Sequence, residues 1–169
     1  MVHSIELVFD PEIEAAIRRI WEDLAGAGIP SQAPASRPHV TLAVAERIDP
    51  AVDEPLRSVA QRLPLPCTIG AAVIFGRANV VLARLVIPTG ELLALHAEVH
   101  RLVGGQLTPG PMPNSLPGHW IAHVTLARRV GGAQLGRALR IANRPPQLVG
   151  CFAGLRRWEG DKRAEHPIG

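Results

Sequence analysis

The sequence has no tyrosine and only three tryptophans and three phenylalanines among its 169 residues. Few side chains are therefore available for stacking on a nucleobase or another flat ligand. Lysine is nearly absent too, because Lys162 stands alone beside 17 arginines. The planar guanidinium of arginine binds phosphate in a bidentate manner, so this bias suits an anionic ligand. A genome rich in G and C produces the same bias, and composition alone leaves both explanations open.

Long apolar runs are also missing. No run approaches the ~20 residues of a membrane span, and the N-terminus leads directly into an amphipathic strand without the segments of a signal peptide. The only two cysteines, Cys67 and Cys151, lie in apolar segments where buried thiols are common. We therefore expect a soluble, cytoplasmic protein without a membrane partner. With 47% hydrophobic residues, residues 1–169 are expected to form a single domain and a monomer.

Two further signals of known chemistry are absent. The glycine pairs at 104–105 and 131–132 have neither the spacing of a P-loop nor that of a dinucleotide-binding loop. His96 and His100 have the spacing of a helical metal pair, but no third ligand follows at a recognisable distance, so we interpret them as surface histidines of a helix. We expect neither a metal nor a cofactor.

The feature that the sequence does have is a repeated motif. His39-Val40-Thr41-Leu42-Ala43 and His123-Val124-Thr125-Leu126-Ala127 are identical in sequence. Each lies in an aliphatic run typical of a strand, where the two-residue period puts His and Thr on one face and Val and Leu on the other. Each motif therefore offers an imidazole beside a hydroxyl.

The spacing of the motifs indicates an internal duplication. His39 and His123 are 84 residues apart, as are Cys67 and Cys151. Each half has the pattern strand, helix, loop, motif strand, helix, strand, which predicts a two-lobed α+β domain with internal pseudo-symmetry. Strands are expected at 4–9, 39–45, 67–75, 80–87, 123–130 and 148–158, and helices at 11–25, 50–62, 90–102 and 134–142. Loops are expected at 29–38 and in the proline-rich stretch 106–118, and a frayed tail from 160.

Two facing imidazoles suit acid/base cleavage of a phosphodiester. One neutral imidazole accepts a proton from water while a second, protonated one donates to the leaving oxygen. The Thr41 and Thr125 hydroxyls can donate hydrogen bonds to the phosphate oxygens. Residues 120–169 carry nine Lys and Arg against three Asp and Glu, whereas residues 1–119 carry nine against twelve. Because Arg128 and Arg129 should lower the pKa of His123, we predict His123 as the base and His39 as the acid.

These residues resemble the 2H phosphoesterase superfamily, which includes the 2′-5′ RNA ligase-like proteins and the 2′,3′-cyclic nucleotide phosphodiesterases. The match lies at His39, Thr41, His123 and Thr125, and at Arg128, which the resemblance implies helps to hold phosphate. The resemblance also implies two antiparallel sheets that form a central groove, with one motif on each wall and helices outside. It implies metal-free opening of 2′,3′-cyclic phosphates on RNA ends or nucleotides to 2′-phosphates, with weak reverse ligation as a side activity.

Two questions stay open at this stage. Phe9, Phe75 and Trp120 are the candidates for stacking on a base, and each is also suited to core packing. An alternative to the enzyme is a module that binds an RNA end or a nucleotide in the same groove without turnover, because a complete motif indicates capacity rather than activity.

Overall fold

The computed structural model describes residues 1–32 and 35–169, so the loop expected at 29–38 contains two residues, 33 and 34, that lie outside the described part. The described residues form the strands and helices β1 (His3–Phe9), α1 (Pro11–Gly26), β2 (His39–Ala45), β3 (Arg47–Ile48), α2 (Asp53–Ala60), β4 (Leu65–Phe75), β5 (Val80–Val86), α3 (Gly90–Val103), β6 (Leu107–Thr108), β7 (His123–Val130), α4 (Gly132–Ala142), β8 (Leu148–Glu159) and β9 (Ala164–Ile168).

Seven strands form one antiparallel sheet in the order β2-β1-β8-β4-β5-β7, with β9 added beside β8. The long strand β8 makes this continuity possible, because its residues 148–152 pair with β4 and its residues 154–159 pair with β1. The two expected antiparallel sheets therefore share β8. The α+β fold with antiparallel sheets is confirmed.

The motif strands β2 and β7 occupy the two ends of this strand order, yet they contact each other. The sheet must therefore curl, and its inner face forms a groove between the two lobes. The apolar side chains of both motifs, Val40 and Leu42 in β2 and Val124 and Leu126 in β7, point away from the groove and are buried. The strand period thus separates the core side of each motif from its polar side, as expected.

Local sequence signals determine where α1 begins. The Asp10 carboxylate accepts a hydrogen bond from the Ile13 backbone N–H at 2.8 Å, and Pro11 occupies the first helical position. The inward face of the helix buries residues at helical spacing against the sheet, namely Ile13, Ile17, Ile20, Trp21 and Leu24. None of the helices in the described residues is long and apolar enough to span a membrane.

Three expectations about secondary structure are wrong. The C-terminal tail is not frayed, because it forms β9 and buries Ile168 against the core. The second helix begins as a 3-10 turn at Pro50–Val52, so α2 is shorter than expected. The proline-rich stretch before the second motif includes β6, which pairs with β3, and the Met112 N–H donates to the Val44 carbonyl of β2. Pairing with distant strands orders segments whose local sequence favours loops.

Candidate active site

The motif side chains lie half-buried along the groove, as the strand period predicts. His39 and Thr41 alternate with buried residues in β2, and His123 and Thr125 do the same in β7. The neighbouring strands are in equivalent register, because Thr41 pairs with Glu6 of β1 and Thr125 pairs with Ala83 of β5. The fold thus brings both motifs to one groove.

Both motif histidines are oriented by the same backbone contact. The Nδ1 atom of His39 lies 2.8 Å from the Arg37 carbonyl, and that of His123 lies 2.6 Å from the Ile121 carbonyl. Since a carbonyl oxygen only accepts, Nδ1 carries the proton and donates in each case. This tautomer leaves Nε2 of each ring available for proton transfer.

Two tryptophans support the motif strands in a symmetric way. The Trp120 indole N–H donates to the Thr41 carbonyl at 2.9 Å, and the Trp21 indole N–H donates to the Thr125 carbonyl at 3.2 Å. These bonds satisfy carbonyls at the edges of β2 and β7, where no further strand of the described residues pairs. Each threonine is therefore fixed by an indole from the other half of the chain.

The two histidines differ in their charged surroundings. The Glu6 carboxylate lies 3.5 Å from Nε2 of His39, whereas Ala83 occupies the equivalent register position beside the second motif. Glu6 is itself buried and is held by the Arg156 guanidinium at 2.6 Å and by the Ser4 hydroxyl. A proton on Nε2 of His39 thus has a carboxylate partner. No sequence pattern indicated this contact, because it depends on pairing between β1 and β2.

The pKa of His123 is lowered from its usual range. Burial is the main cause, and the positive charges of His39 and Arg128 add to it, while the Nδ1 contact with the Ile121 carbonyl opposes them. The direction agrees with the expectation from the sequence, but the principal cause does not, and Arg129 is not among the contributors. A neutral His123 at ordinary pH is the form that accepts a proton.

Two cavities adjoin the histidines, and they share no lining residue. One of about 220 Å³ is lined by Thr41, His123, Phe75, His119 and Trp120, among others. The other, of about 670 Å³, is lined by His39, Glu6, Trp158 and several arginines. Arg128 is exposed at the end of the second motif. It is close enough to influence His123, as its effect on that pKa indicates.

The aromatic candidates have different outcomes. Phe9 is wrong as a ligand contact, because it is 2% exposed and stacks on Phe152 in the core with ring centroids 5.3 Å apart. Trp120 does line the smaller cavity, although its indole N–H is engaged by Thr41. Phe75 lies against His123, with ring centroids 4.7 Å apart. Trp158, which sequence reasoning missed, lines the larger cavity because β1 and β8 pair.

The interpretation of His96 and His100 as surface histidines is wrong. His96 is 1% exposed, its Nε2 lies 2.8 Å from the Ser115 carbonyl, and its ring stacks on Trp120 at 3.9 Å. The Nε2 atom of His100 lies 2.8 Å from the Leu42 carbonyl of β2. Burial lowers the pKa of His96 to about 4. The pair therefore braces Trp120 and the first motif strand from α3.

Residues 1–32 and 35–169 contain no group of three or more His, Cys, Asp and Glu side chains arranged to hold a metal ion. The acidic groups that approach the groove are engaged by arginines instead. Glu6 is bound by Arg156, and Glu165 is bound by both Arg156 and Arg37. What the site presents for chemistry is thus a pair of imidazoles with hydroxyl and guanidinium neighbours.

The sequence profile of the 2'-5' RNA ligase superfamily matches residues 9–157. No curated protein sequence matches the chain significantly.

Solved structures with the same fold cover nearly the whole chain. TT0787 of Thermus thermophilus has a TM-score of 0.61 and 17% identity, with 100% of this chain and 96% of that chain covered. Usb1 of Kluyveromyces marxianus has a TM-score of 0.55 and 13% identity, with 99% and 98% covered. The MHV ns2 PDE domain has a TM-score of 0.53 and 16% identity, with 99% of each chain covered. These similarities show the fold.

Proposed function

Because the chain belongs to the 2'-5' RNA ligase superfamily, we propose that it is a phosphodiesterase that opens 2′,3′-cyclic phosphates on RNA ends or nucleotides. The observation that carries this proposal is the pair of imidazoles, in each of which Nδ1 donates to a backbone carbonyl, so that Nε2 is the nitrogen that can exchange a proton. The positive charge of His39 acts on the pKa of His123, so the two rings lie within electrostatic reach of each other. This arrangement suits a substrate that needs one proton removed and another delivered.

The two histidines together carry out both proton transfers that the reaction needs. Neutral His123 accepts a proton at Nε2 from a water molecule as the water oxygen attacks phosphorus. The bond from phosphorus to the 3′-oxygen breaks, and His39 donates its Nε2 proton to that oxygen. The product is a 2′-phosphate with a free 3′-hydroxyl, and neither step requires a metal ion.

The neighbouring groups stabilise the charge that develops on the phosphate. The Thr41 and Thr125 hydroxyls donate to the non-bridging oxygens, and each is held in position by the indole bond to its own carbonyl. Arg128 supplies a positive charge on the His123 side. The Glu6 carboxylate is the partner of the proton on Nε2 of His39 until that proton is transferred.

The smaller cavity suits the base of the nucleotide that carries the cyclic phosphate. The cavity has a volume of about 220 Å³ and adjoins both Thr41 and His123, and the Phe75 ring forms an aromatic wall. A relative of this fold, Kluyveromyces marxianus Usb1, has been solved with uridine monophosphate, which supports a nucleotide ligand. Another is described as the MHV ns2 PDE domain.

Incubation of the protein with 2′,3′-cyclic AMP and with an oligonucleotide ending in a cyclic phosphate, both in the presence of a chelator, tests the proposal. Chromatography should resolve a 2′-phosphate product, and H39A/H123A should produce none. Product only after a divalent metal is added would contradict the metal-free reaction. Tight binding of the oligonucleotide by folded protein without any product would instead favour a binding module that uses the same groove.

A further inference from the structure

The larger cavity adjoins His39 and shares no lining residue with the pocket beside His123. Its volume of about 670 Å³ is about three times that of the smaller cavity, and neither the second motif nor Arg128 lines it. One aromatic side chain and a group of arginines contribute to its wall: Trp158, Arg18, Arg37, Arg156 and Arg163. The proposed reaction on a cyclic phosphate leaves most of this cavity unused.

Strand register places the aromatic side chain on the same face as the first motif. Glu6 of β1 pairs with Thr41 on one side and with Arg156 of β8 on the other, so the three residues share a face. Trp158 lies two residues beyond Arg156 and therefore faces the same way. Trp158 lies two strands across from Thr41 and about two residues along the strand direction. The corresponding distance between their Cα atoms is roughly 12 Å. The nucleotide next to the reacting one can reach this position.

The charges of the cavity are unevenly compensated. Three arginines are matched by three carboxylates: Arg156 by Glu6 and Glu165, Arg37 by Glu14 and Glu165, and Arg18 by Glu14 at 3.9 Å. The N-terminal amino group pairs with Asp161 at 3.0 Å. Arg163 forms no ion pair with any residue in the described ranges. Its guanidinium is the uncompensated positive charge of the cavity, which favours an anion there.

The backbone at Arg163 is also unusual. Its φ angle is +50°, in the left-handed region where the Cβ atom of any residue other than glycine is unfavourable. A left-handed residue is common in the loop of a hairpin such as β8–β9, and glycine accepts this position without strain. An exposed turn between β8 and β9 has no packing requirement for arginine.

Trp158 is suited to stacking. The indole is half-exposed, and the Arg156 guanidinium lies 5.2 Å from its ring centroid. Arg156 is fixed by Glu6 and Glu165, so it holds the indole in place. The part of the ring that lines the cavity is therefore an ordered platform beside the uncompensated cation of Arg163.

We propose that this cavity is a subsite for the nucleotide that precedes the cyclic phosphate in an RNA chain. The base of that nucleotide stacks on Trp158, and its phosphate binds Arg163. The subsite rests on the proposed function and refines it, because it makes the end of an RNA chain a better substrate than a cyclic mononucleotide.

Comparison of two substrates tests the subsite. W158A should lower kcat/KM more for a cyclic-phosphate-ended oligonucleotide than for 2′,3′-cyclic AMP. The ratio of the two kcat/KM values should fall by about 5- to 150-fold, the range for loss of one base stacked on an aromatic ring. W158F, which retains an aromatic face, should recover most of the difference. R140A removes a surface arginine of α4 that lines neither cavity, and it should leave the ratio unchanged. Equal losses on both substrates, or no loss, would overturn the subsite.

Equilibrium binding separates this inference from the proposed reaction. Fluorescence anisotropy with an oligonucleotide ending in a 2′-phosphate reports on the subsite without turnover. R163G removes the charge at a backbone position that glycine accepts, and it should reduce the slope of log affinity against log salt concentration by about 0.7. An unchanged slope would overturn the phosphate contact. If wild-type protein hydrolyses nothing while W158A and R163G still weaken binding, the proposed reaction fails and the subsite stands.

Discussion

At the scale of residues, His39 and His123 have the same backbone anchor and different electrostatic partners, which supports the proposed difference in their proton roles. Nε2 of His39 faces the Glu6 carboxylate, whereas the pKa of His123 is lowered by burial and by nearby positive charge. A carboxylate favours the nitrogen that donates a proton, and a lowered pKa favours the nitrogen that accepts one. The duplicated motif thus supplies two chemically distinct groups.

The loss of activity on removal of His39, the proposed acid, should depend on the leaving group of the substrate. H39A should lower kcat on a natural cyclic phosphate by roughly 10²- to 10⁴-fold, the range for a lost general acid, because no proton reaches the departing oxygen. A nitrophenyl phosphodiester needs no such proton and should be affected less. H166A, which removes a histidine of β9 outside both cavities, is the control. Sparing of the activated substrate by H123A instead of H39A would reverse the two roles.

The pH dependence should respond to Arg128. Because its charge lowers the pKa of His123, the base stays deprotonated at lower pH. R128A should therefore move the acidic limb of the bell-shaped kcat/KM profile toward higher pH, with the limbs belonging to the coupled pair. R129A should leave the limb in place, since Arg129 does not contribute to the pKa of His123. Equal shifts in the two variants would show that overall charge, rather than Arg128, sets the limb.

At the scale of elements, α3 contributes to the site through side chains that do not line the groove. His96 stacks on Trp120, whose indole holds the Thr41 carbonyl, and His100 contacts the Leu42 carbonyl. The first motif strand therefore depends on a helix that lies far along the chain. This dependence links the geometry of the site to the protonation state of a buried histidine.

Stability should fall in mild acid because of His96. Its pKa is about 4 in the folded protein against an ordinary value of 6.5. The unfolded chain therefore binds the proton first as pH falls, and the stabilisation is complete above about pH 6.5, declines between 6.5 and 4, and levels off below 4. At about 1.4 kcal/mol per pH unit, the loss in free energy of unfolding reaches up to about 3 kcal/mol.

Urea denaturation at pH 7, 5.5 and 4 measures this dependence. H96Q retains a donor for the Ser115 carbonyl but does not titrate, so its free energy of unfolding should vary less with pH than that of the wild type. H166Q, at a half-exposed position on β9, should keep the wild-type dependence. The same pH dependence in H96Q as in the wild type would contradict the role of His96.

At the scale of the whole molecule, β8 joins the two lobes because it pairs with strands of both, so we expect them to unfold as one cooperative unit. Phe152 pairs with both Phe9 of β1 and Leu65 of β4, and it is fully buried. F152A should lower the free energy of unfolding by roughly 3–5 kcal/mol, as expected for a large core cavity. Both lobes should still unfold in a single calorimetric transition, because the shared strand couples them. Two separate transitions in either the wild type or F152A would contradict this coupling. The control F75A, at a half-buried position, should lower the free energy of unfolding by less than F152A does.

Several arginines are buried inside the protein and do not contribute to an anion-binding surface. The high arginine content suits an anionic ligand, but Arg156 and Arg157 are buried and bind Glu6 and Asp53. Arg84 is also fully buried, and its guanidinium donates to three backbone carbonyls. A sequence does not distinguish an internal arginine from a surface one, because its partners come from distant segments.

The sequence by itself determined the features that depend on local periodicity. Alternation in the two motif strands placed His and Thr on one face, and the Asp10-Pro11 pair placed the start of α1. These follow from side-chain direction and capping, which involve residues close in the chain. Only the tertiary structure decided that Glu6 meets His39, that His96 is buried behind Trp120, and that Trp158 faces the groove. Each of these depends on the register between strands or on packing between elements far apart in sequence, which no local pattern specifies.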